Sequence, residues 1–378
     1  MRDSSDVAII GGGVIGCSIA YYLAKQGIRS TVFEQRRFGS GASGATAGVI
    51  GPLQHISPAS RATLALGLRS LDMFPTLASE LAEAGVDPEF RQNGILSVAL
   101  TPEQAEELKR NLTWQGETGL GARWLSSREV LDREPLMNPD VLGAVFSPRE
   151  GHVRGQRLVD ALVHAASKLG ASFVEGAEVT GLETRGRRVT GVRVAGAAHP
   201  AGHTVLAAGP WSGIAGRWVP DRIPVRPVKG QRILLRSRGF LPACPVRSFA
   251  GYTLPQVDGN ILVGATRHEG EFDQEVTADA VAQSISDAAL AFPILGSARF
   301  IEARAGVRPG SPDGVPLIGP LPEWDGLIVA SGHDAVGIML SPGTAELVAD
   351  YIRTGDEGPL QPFSPARFGN DARAGAQE

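Results

Sequence analysis

The first chemistry legible in this 378-residue chain lies in three glycines and one acid near its start. Gly11, Gly13 and Gly16 stand in a G-x-G-x-x-G spacing directly after the apolar run Val7-Ala8-Ile9-Ile10. A helical pattern follows from Cys17 to Gln26, with Gly27 where the helix should end. Arg29 to Phe33 is a second strand-like run, closed by Glu34 and Gln35. Strand, glycine turn, helix, strand and acid is the order a dinucleotide site requires. Gly11 permits the tight turn, Gly13 brings backbone amides to a pyrophosphate, and Gly16 lets helix and strand approach. Val14 and Ile15 open the helix, whose unpaired N–H groups and partial positive charge suit phosphate. Glu34 can accept hydrogen bonds from ribose hydroxyls, and its charge repels a 2′-phosphate. An ordinary glycine-closed turn leaves Glu34 without a purpose.

From Gly39 to Gly51 the chain carries small residues almost throughout, among them Ala42, Ser43, Ala47, Gly48 and Val49. Such a stretch lets backbone and hydroxyls approach a large flat ligand, and its length suits a diphosphate running on to an isoalloxazine. FAD is therefore the expected cofactor. Further on, Arg308 precedes Pro309, which holds its backbone extended, between Gly306 and Gly310. A guanidinium there can take a carboxylate bidentately at any working pH.

These residues need elements to place them. The sequence predicts helices over 59–84, from Pro102, over 155–169 and over 337–352. Strand-like runs fall at 171–174, 179–183, 189–194 and 204–209; Val179 and Gly209, at strand ends, join the expected cofactor contacts. Residues 225–265 read as antiparallel β, with Asp258-Gly259 as a two-residue turn. That turn sets Tyr252 opposite Ala265, with Arg267 diagonal to it on the same face. Both then border the substrate pocket. The expected fold is α/β: a Rossmann-like, glutathione-reductase-type FAD domain (1–85, 152–220 and 303–378) interrupted by an α+β substrate domain (86–151 and 221–302) with an antiparallel sheet.

Composition narrows the classes. Hydrophobic residues make up 43% and charged residues 20%, the balance of a globular chain rather than a disordered one. A net charge of −4 without a basic block leaves nothing for nucleic acid to bind. Two cysteines, Cys17 and Cys244, make no disulfide framework and read as packing residues of a reducing compartment. The apolar run Val7 to Ala24 imitates a signal core, but Asp3 and Asp6 suit no positive leader, so a cytoplasmic protein is expected. His199 and His203 are four apart, yet Pro200 and Gly202 break the helix that would align them. No metal site is expected.

The G-G-G-V-I-G turn, Glu34, the run ending Ala45-Thr46-Ala47-Gly48, and the block Gly306-Val307-Arg308-Pro309 to Pro316-Leu317-Ile318-Gly319 together resemble the D-amino acid oxidase type of FAD-dependent oxidoreductases. The similarity is to the glycine oxidase branch and runs in blocks to about residue 353. The resemblance implies that Arg308 binds the substrate carboxylate and that Tyr252 faces the substrate. It also implies that the segment Gly332, His333, Asp334, Ala335, Val336, Gly337, Ile338, Met339 lies against the flavin. A helix starting there turns N–H groups toward a reduced flavin. Two departures stand out. Ala335 occupies the place of a second pocket arginine, and Arg267 stands where the family often has an apolar residue.

A single G-x-G-x-x-G argues against a bound NAD(P)H, so electrons come from the substrate. Flavin amine oxidation needs a neutral amine, an aimed Cα–H and a water-excluding site, with no protein acid or base. The expected reaction is oxidative deamination of glycine, sarcosine or a small D-amino acid, by hydride transfer from Cα to non-covalent FAD. The imine then hydrolyses to an oxo acid, and O2 or another acceptor takes the electrons. The alternatives are a dehydrogenase of a D-proline- or hydroxyproline-like amine, passing electrons to a quinone or a partner subunit, and a non-redox FAD-binding scaffold. The sequence leaves open whether the chain is a homo-oligomer.

Overall fold

The computed structural model describes residues 5–215, 218 and 223–373. Val7-Ala8-Ile9-Ile10 is apolar throughout because the strand Ser5–Ile10 is covered on both faces. Val7 and Ile9 enter one core, Ala8 and Ile10 another, as in the interior of a parallel sheet. Ser30–Glu34 and Ala197–Leu206 flank it in parallel. Ser172–Glu175 extends the sheet on one side and Leu327–Ser331 on the other, both parallel, with Leu317–Pro320 an antiparallel edge.

The helices Val14–Lys25, Arg61–Ala84, Gly155–Lys168 and Gly337–Thr354 cover the face of Val7 and Ile9. Arg61–Ala84 presents Leu71, Phe74, Leu77 and Leu81 at helical spacing and stops at Gly85, whose φ of 121° lets the chain turn off. The strands Val179–Arg185 and Arg188–Val194 cover the other face.

A second, mainly antiparallel sheet draws on both inserted segments. Its strands run Arg299–Gly310, Arg226–Arg236, Ile261–Gly264, Tyr252–Pro255, Val246–Arg247, Ile95–Ala99, Gly143–Ser147 and Arg123–Ser126. Residues 95–147 and 226–264 meet where Val246–Arg247 pairs in parallel with Ile95–Ala99. The helix Ala278–Ala291 closes the core behind this sheet, leaving the front face toward the first unit. Arg299–Gly310 runs unbroken across the 302/303 division, and the 220/221 division lies outside the described residues.

The hairpin at 252–264 corrects the sequence reading. Gly259 N donates to Gln256 O and Gln256 N donates to Asn260 O. Val257, Asp258 and Gly259 thus form a three-residue loop, with Gly259 at φ 78°. A left-handed glycine after a turn adds one residue to the loop. The register moves by one, and Tyr252 pairs with Gly264 instead of Ala265. Arg267 is not on the Tyr252 ladder, because the strand ends at Gly264 and the chain beyond it stays beside Arg226–Arg236, pairing His268–Glu269 with Val228–Lys229.

Candidate active site

A cavity of about 500 Å³ runs from the carboxyl end of Ser5–Ile10 to the front of the second sheet. The residues singled out from sequence line it, with four exceptions: Gly16, Gly332, Val336 and Met339. Gly16 packs instead, since a Cβ there would run into Gly11 O. Gly332 takes φ 73° and would press Leu317 with a Cβ at 2.6 Å. Met339 and Val336 turn toward the helical core.

At the first end, Gly11 has φ 106°, and a Cβ on it would stand 2.5 Å from Ala207 O. Any other residue strains the backbone and collides. The helix Val14–Lys25 has no side-chain cap, so its first turn opens on the cavity. Val14 N donates to Ser43 Oγ at 2.9 Å, which ties the small-residue run to this turn. Glu34 accepts from Gly12 N and from Arg36 N, both at 2.8 Å, and its carboxylate is thereby held at the cavity wall.

The other end is built on one face of the second sheet. Residues directly opposite in a ladder share a face, which aligns Arg247, Tyr252, Gly264, Arg232 and Arg304 in one transverse row. Arg308 projects from the same face four residues beyond Arg304. Its guanidinium lies across Gly230, where a Cβ would overlap it, and Nη1 donates to Thr266 O at 3.2 Å. Burial pulls the Arg308 pKa down, with Asp334 opposing. Gly306 admits the single helical turn Ala42–Ala45, for a Cβ would come 2.6 Å from that of Ala45. Arg232 is 7% exposed and fastens the same turn, donating to Ala45 O at 3.1 Å and Gly44 O at 3.4 Å.

Tyr252 is 8% exposed, and its hydroxyl has no hydrogen-bond partner among the described residues. Burial raises its pKa, keeping it a phenol. His55 packs on it with ring centroids 5.3 Å apart. The surrounding protein first, then the charges of Arg247 and Arg308, lower the His55 pKa to about 3. The ring is neutral at ordinary pH. His333 is likewise neutral, lowered to about 3 by burial, with Nε2 3.1 Å from Thr344 Oγ1. Arg267 reaches the cavity, but it is bound by two carboxylates, Glu269 at 2.7 Å and Asp334 at 2.9 Å.

A family model described as FAD dependent oxidoreductase matches residues 6–351. The chain belongs to that family. A glycine oxidase of Pseudomonas putida is 36% identical over 98% of this chain and 100% of its own length. The crystal structure of glycine oxidase from Geobacillus kaustophilus, also 36% identical, superposes with a TM-score of 0.91 over 96% of this chain and 98% of that one. L-proline dehydrogenase from P. horikoshii, 25% identical, superposes at 0.87 over 97% and 98%.

The protein is an FAD-dependent amino acid or amine oxidoreductase of this family, and FAD is its cofactor. The residues present fit that group. The uncapped helix start, the held Glu34 carboxylate and a passage floored by glycines at 11, 13, 48, 209, 306 and 337 leave room that side chains would otherwise fill. No group of His, Cys, Asp and Glu able to hold a metal occurs among the described residues, and none of their helices is long and apolar enough to cross a membrane.

Sequence reasoning missed several wall residues. Arg36 reaches over the Trp211 ring at 5.3 Å and bonds Gln274 at 2.9 Å, beside a contact of Trp211 with Phe272. Arg247, His55 and Thr266 also face the cavity. None lies in a motif. Arg247 sits on a two-residue strand too short to show a period.

Proposed function

We propose that this protein oxidises the amine of a small amino acid such as glycine, N-methylglycine or a small D-amino acid, with Arg308 as the carboxylate anchor. One observation carries the reading: Arg308 faces the cavity with a neutral carbonyl, Thr266 O, as its hydrogen-bond partner and no ion-paired carboxylate among the described residues. A largely buried guanidinium without an anion favours an anionic ligand. The similarity to glycine oxidases over nearly the whole chain supports the same reading.

In this scheme Arg308 grips the carboxylate and sets the Cα position. The unpartnered Tyr252 hydroxyl bonds to the substrate and fixes its tilt. Neutral His55 adds no charge beside the amine, which must itself be unprotonated to react. FAD, when bound, supplies a two-electron acceptor for the Cα–H bond. The imine so formed takes up water and releases an oxo acid with ammonia or a primary amine.

In the same proposal, segments 1–85, 152–220 and 303–378 hold FAD, and 86–151 with 221–302 supply the substrate wall. FAD is held without a covalent bond to either cysteine. Both thiols are buried away from the cavity, and burial pushes Cys244 up to about 12. Structural likeness to L-proline dehydrogenase favours a second reading, in which a secondary cyclic amine is oxidised and a carrier other than O2 takes the electrons.

Anaerobic flavin bleaching with glycine, N-methylglycine, D-alanine, D-proline and cis-4-hydroxy-D-proline separates the substrates, and peroxide formation in air separates the acceptors. Arg308→Ala should lower the bleaching rate per unit substrate by about a hundredfold, ~2.7 kcal/mol. A wild-type rate and affinity in that variant would remove the anchor.

A further inference from the structure

The cavity holds a second arginine that the scheme above leaves unused. Arg247 stands directly opposite Tyr252 in the ladder, so both side chains rise from the cavity face. Among the described residues its guanidinium makes no hydrogen bond and no ion pair. Of the other arginines lining the cavity, Arg267 is engaged by Glu269 and Asp334, Arg36 by Gln274, and Arg308 by Thr266 O.

The Arg247 charge lowers the Glu150 pKa, but that carboxylate is occupied elsewhere. Its two oxygens accept from Leu53 N and Gln54 Nε2, both at 2.7 Å, and it does not line the cavity. Arg247 is thus a half-buried cation facing open cavity beside an unpartnered Tyr252 hydroxyl. The charges of both Arg247 and Arg308 act on His55, which lines the same cavity. The backbones of those arginines are four strands apart in the sheet. The face between them carries Tyr252, Gly264 and, beneath the Arg308 guanidinium, Gly230, all three lining the cavity.

We infer that Arg247 receives a second anionic group of the substrate, making the favoured class a small amine with two carboxylates at opposite ends. The inference rests on the Arg308 anchor. Arg308 takes the carboxylate next to the reacting carbon, and Arg247 takes the distal one. Tyr252 stands between them and bridges toward either. A monocarboxylate leaves the Arg247 charge unmatched and binds less tightly.

The test uses the holoenzyme and ligands without an amine, so that binding is read apart from turnover. Succinate, glutarate and adipate are titrated against butyrate, valerate and hexanoate, following the flavin absorption change and, independently, calorimetric heat. At the best-fitting length, the dicarboxylate should bind at least tenfold tighter than the monocarboxylate of equal carbon number. In Arg247→Met and Arg247→Gln that ratio should fall below threefold, while Arg247→Lys keeps a preference above threefold. A ratio near one at every length in the wild type, or a tenfold ratio that survives in both neutral variants, overturns the inference. Monocarboxylate affinity measured in Arg308→Met tests the anchor separately. If it is unchanged, the anchor and this inference both fall; if it drops while the ratio is near one, only the role of Arg247 falls.

Discussion

The Arg308 guanidinium occupies the space above Gly230 that a side chain at residue 230 would claim. The two residues lie on neighbouring strands of one sheet face, and the absence of a Cβ on one decides where the other points. A methyl group at 230 would lift the guanidinium from this position. Gly230→Ala is therefore expected to lower kcat/KM for an amino acid substrate by about tenfold or more, ~1.4 kcal/mol, with the flavin content unchanged. Steady-state kinetics on variant matched for flavin-to-protein absorbance checks this. Wild-type kinetics would show that Arg308 works from another position.

Gly11 combines a φ of 106° with a Cβ position 2.5 Å from Ala207 O. The left-handed backbone alone costs about 1–2 kcal/mol for another residue, and the collision adds to it. Gly11→Ala should be recovered largely without flavin and with a lowered Tm even after FAD is added back. A variant with full flavin content would mean that the turn relaxes without loss.

Arg232 joins the two units of the fold. Its guanidinium bonds two carbonyls of the turn Ala42–Ala45 from a strand of the second sheet. Removing it leaves the Gly44 and Ala45 carbonyls without this donor, while Glu302 keeps Arg304 at 3.0 Å. Arg232→Met should destabilise the protein by about 2–4 kcal/mol in denaturant unfolding and should weaken FAD retention. An effect below about 1 kcal/mol would mean that the turn is held by packing on Gly306 alone.

Glu150 supplies a pH test. Burial raises its pKa from 4.5 to about 7, against the hydrogen bonds from Gln54 and Leu53 and the Arg247 charge. In the unfolded chain it loses its proton near 4.5, in the fold near 7. Between those values the folded state holds the extra proton, so stability contributed by this group falls as pH rises, and the loss is complete above about 7. Glu150→Gln never carries the charge. The stability of the variant relative to wild type should therefore grow from pH 4.5 to 7 and then level off in parallel unfolding curves. A constant or shrinking difference would mean that Arg247 and the hydrogen bonds hold the carboxylate charged throughout.

Much of the nucleotide end was readable without coordinates. Strand, glycine turn, helix and Glu34 depend on contacts within 34 residues, and local propensity and tertiary packing agree there. Arg308 was also readable, because Pro309 and the neighbouring glycines restrict its backbone whatever surrounds it. The hairpin was not. One left-handed residue, Gly259, lengthened its loop by one and moved Tyr252 from Ala265 to Gly264. A register slip of one changes every pairing downstream, and a D-G dipeptide is compatible with both loops.

The sequence by itself determined the family and the cofactor, since both are written in short blocks whose spacing has one physical use. Only the tertiary structure decided which arginines are free to meet an anion. Arg267, Arg232 and Arg247 stand in unremarkable surroundings along the chain, and the block around Arg308 does not say whether its charge is neutralised. The fold brought Asp334 to Arg267, beside its chain neighbour Glu269, and Glu302 to Arg232, and left Arg308 and Arg247 facing the cavity. A charge is neutralised by what lies near it in space, and that is a property of the fold rather than of the neighbouring sequence.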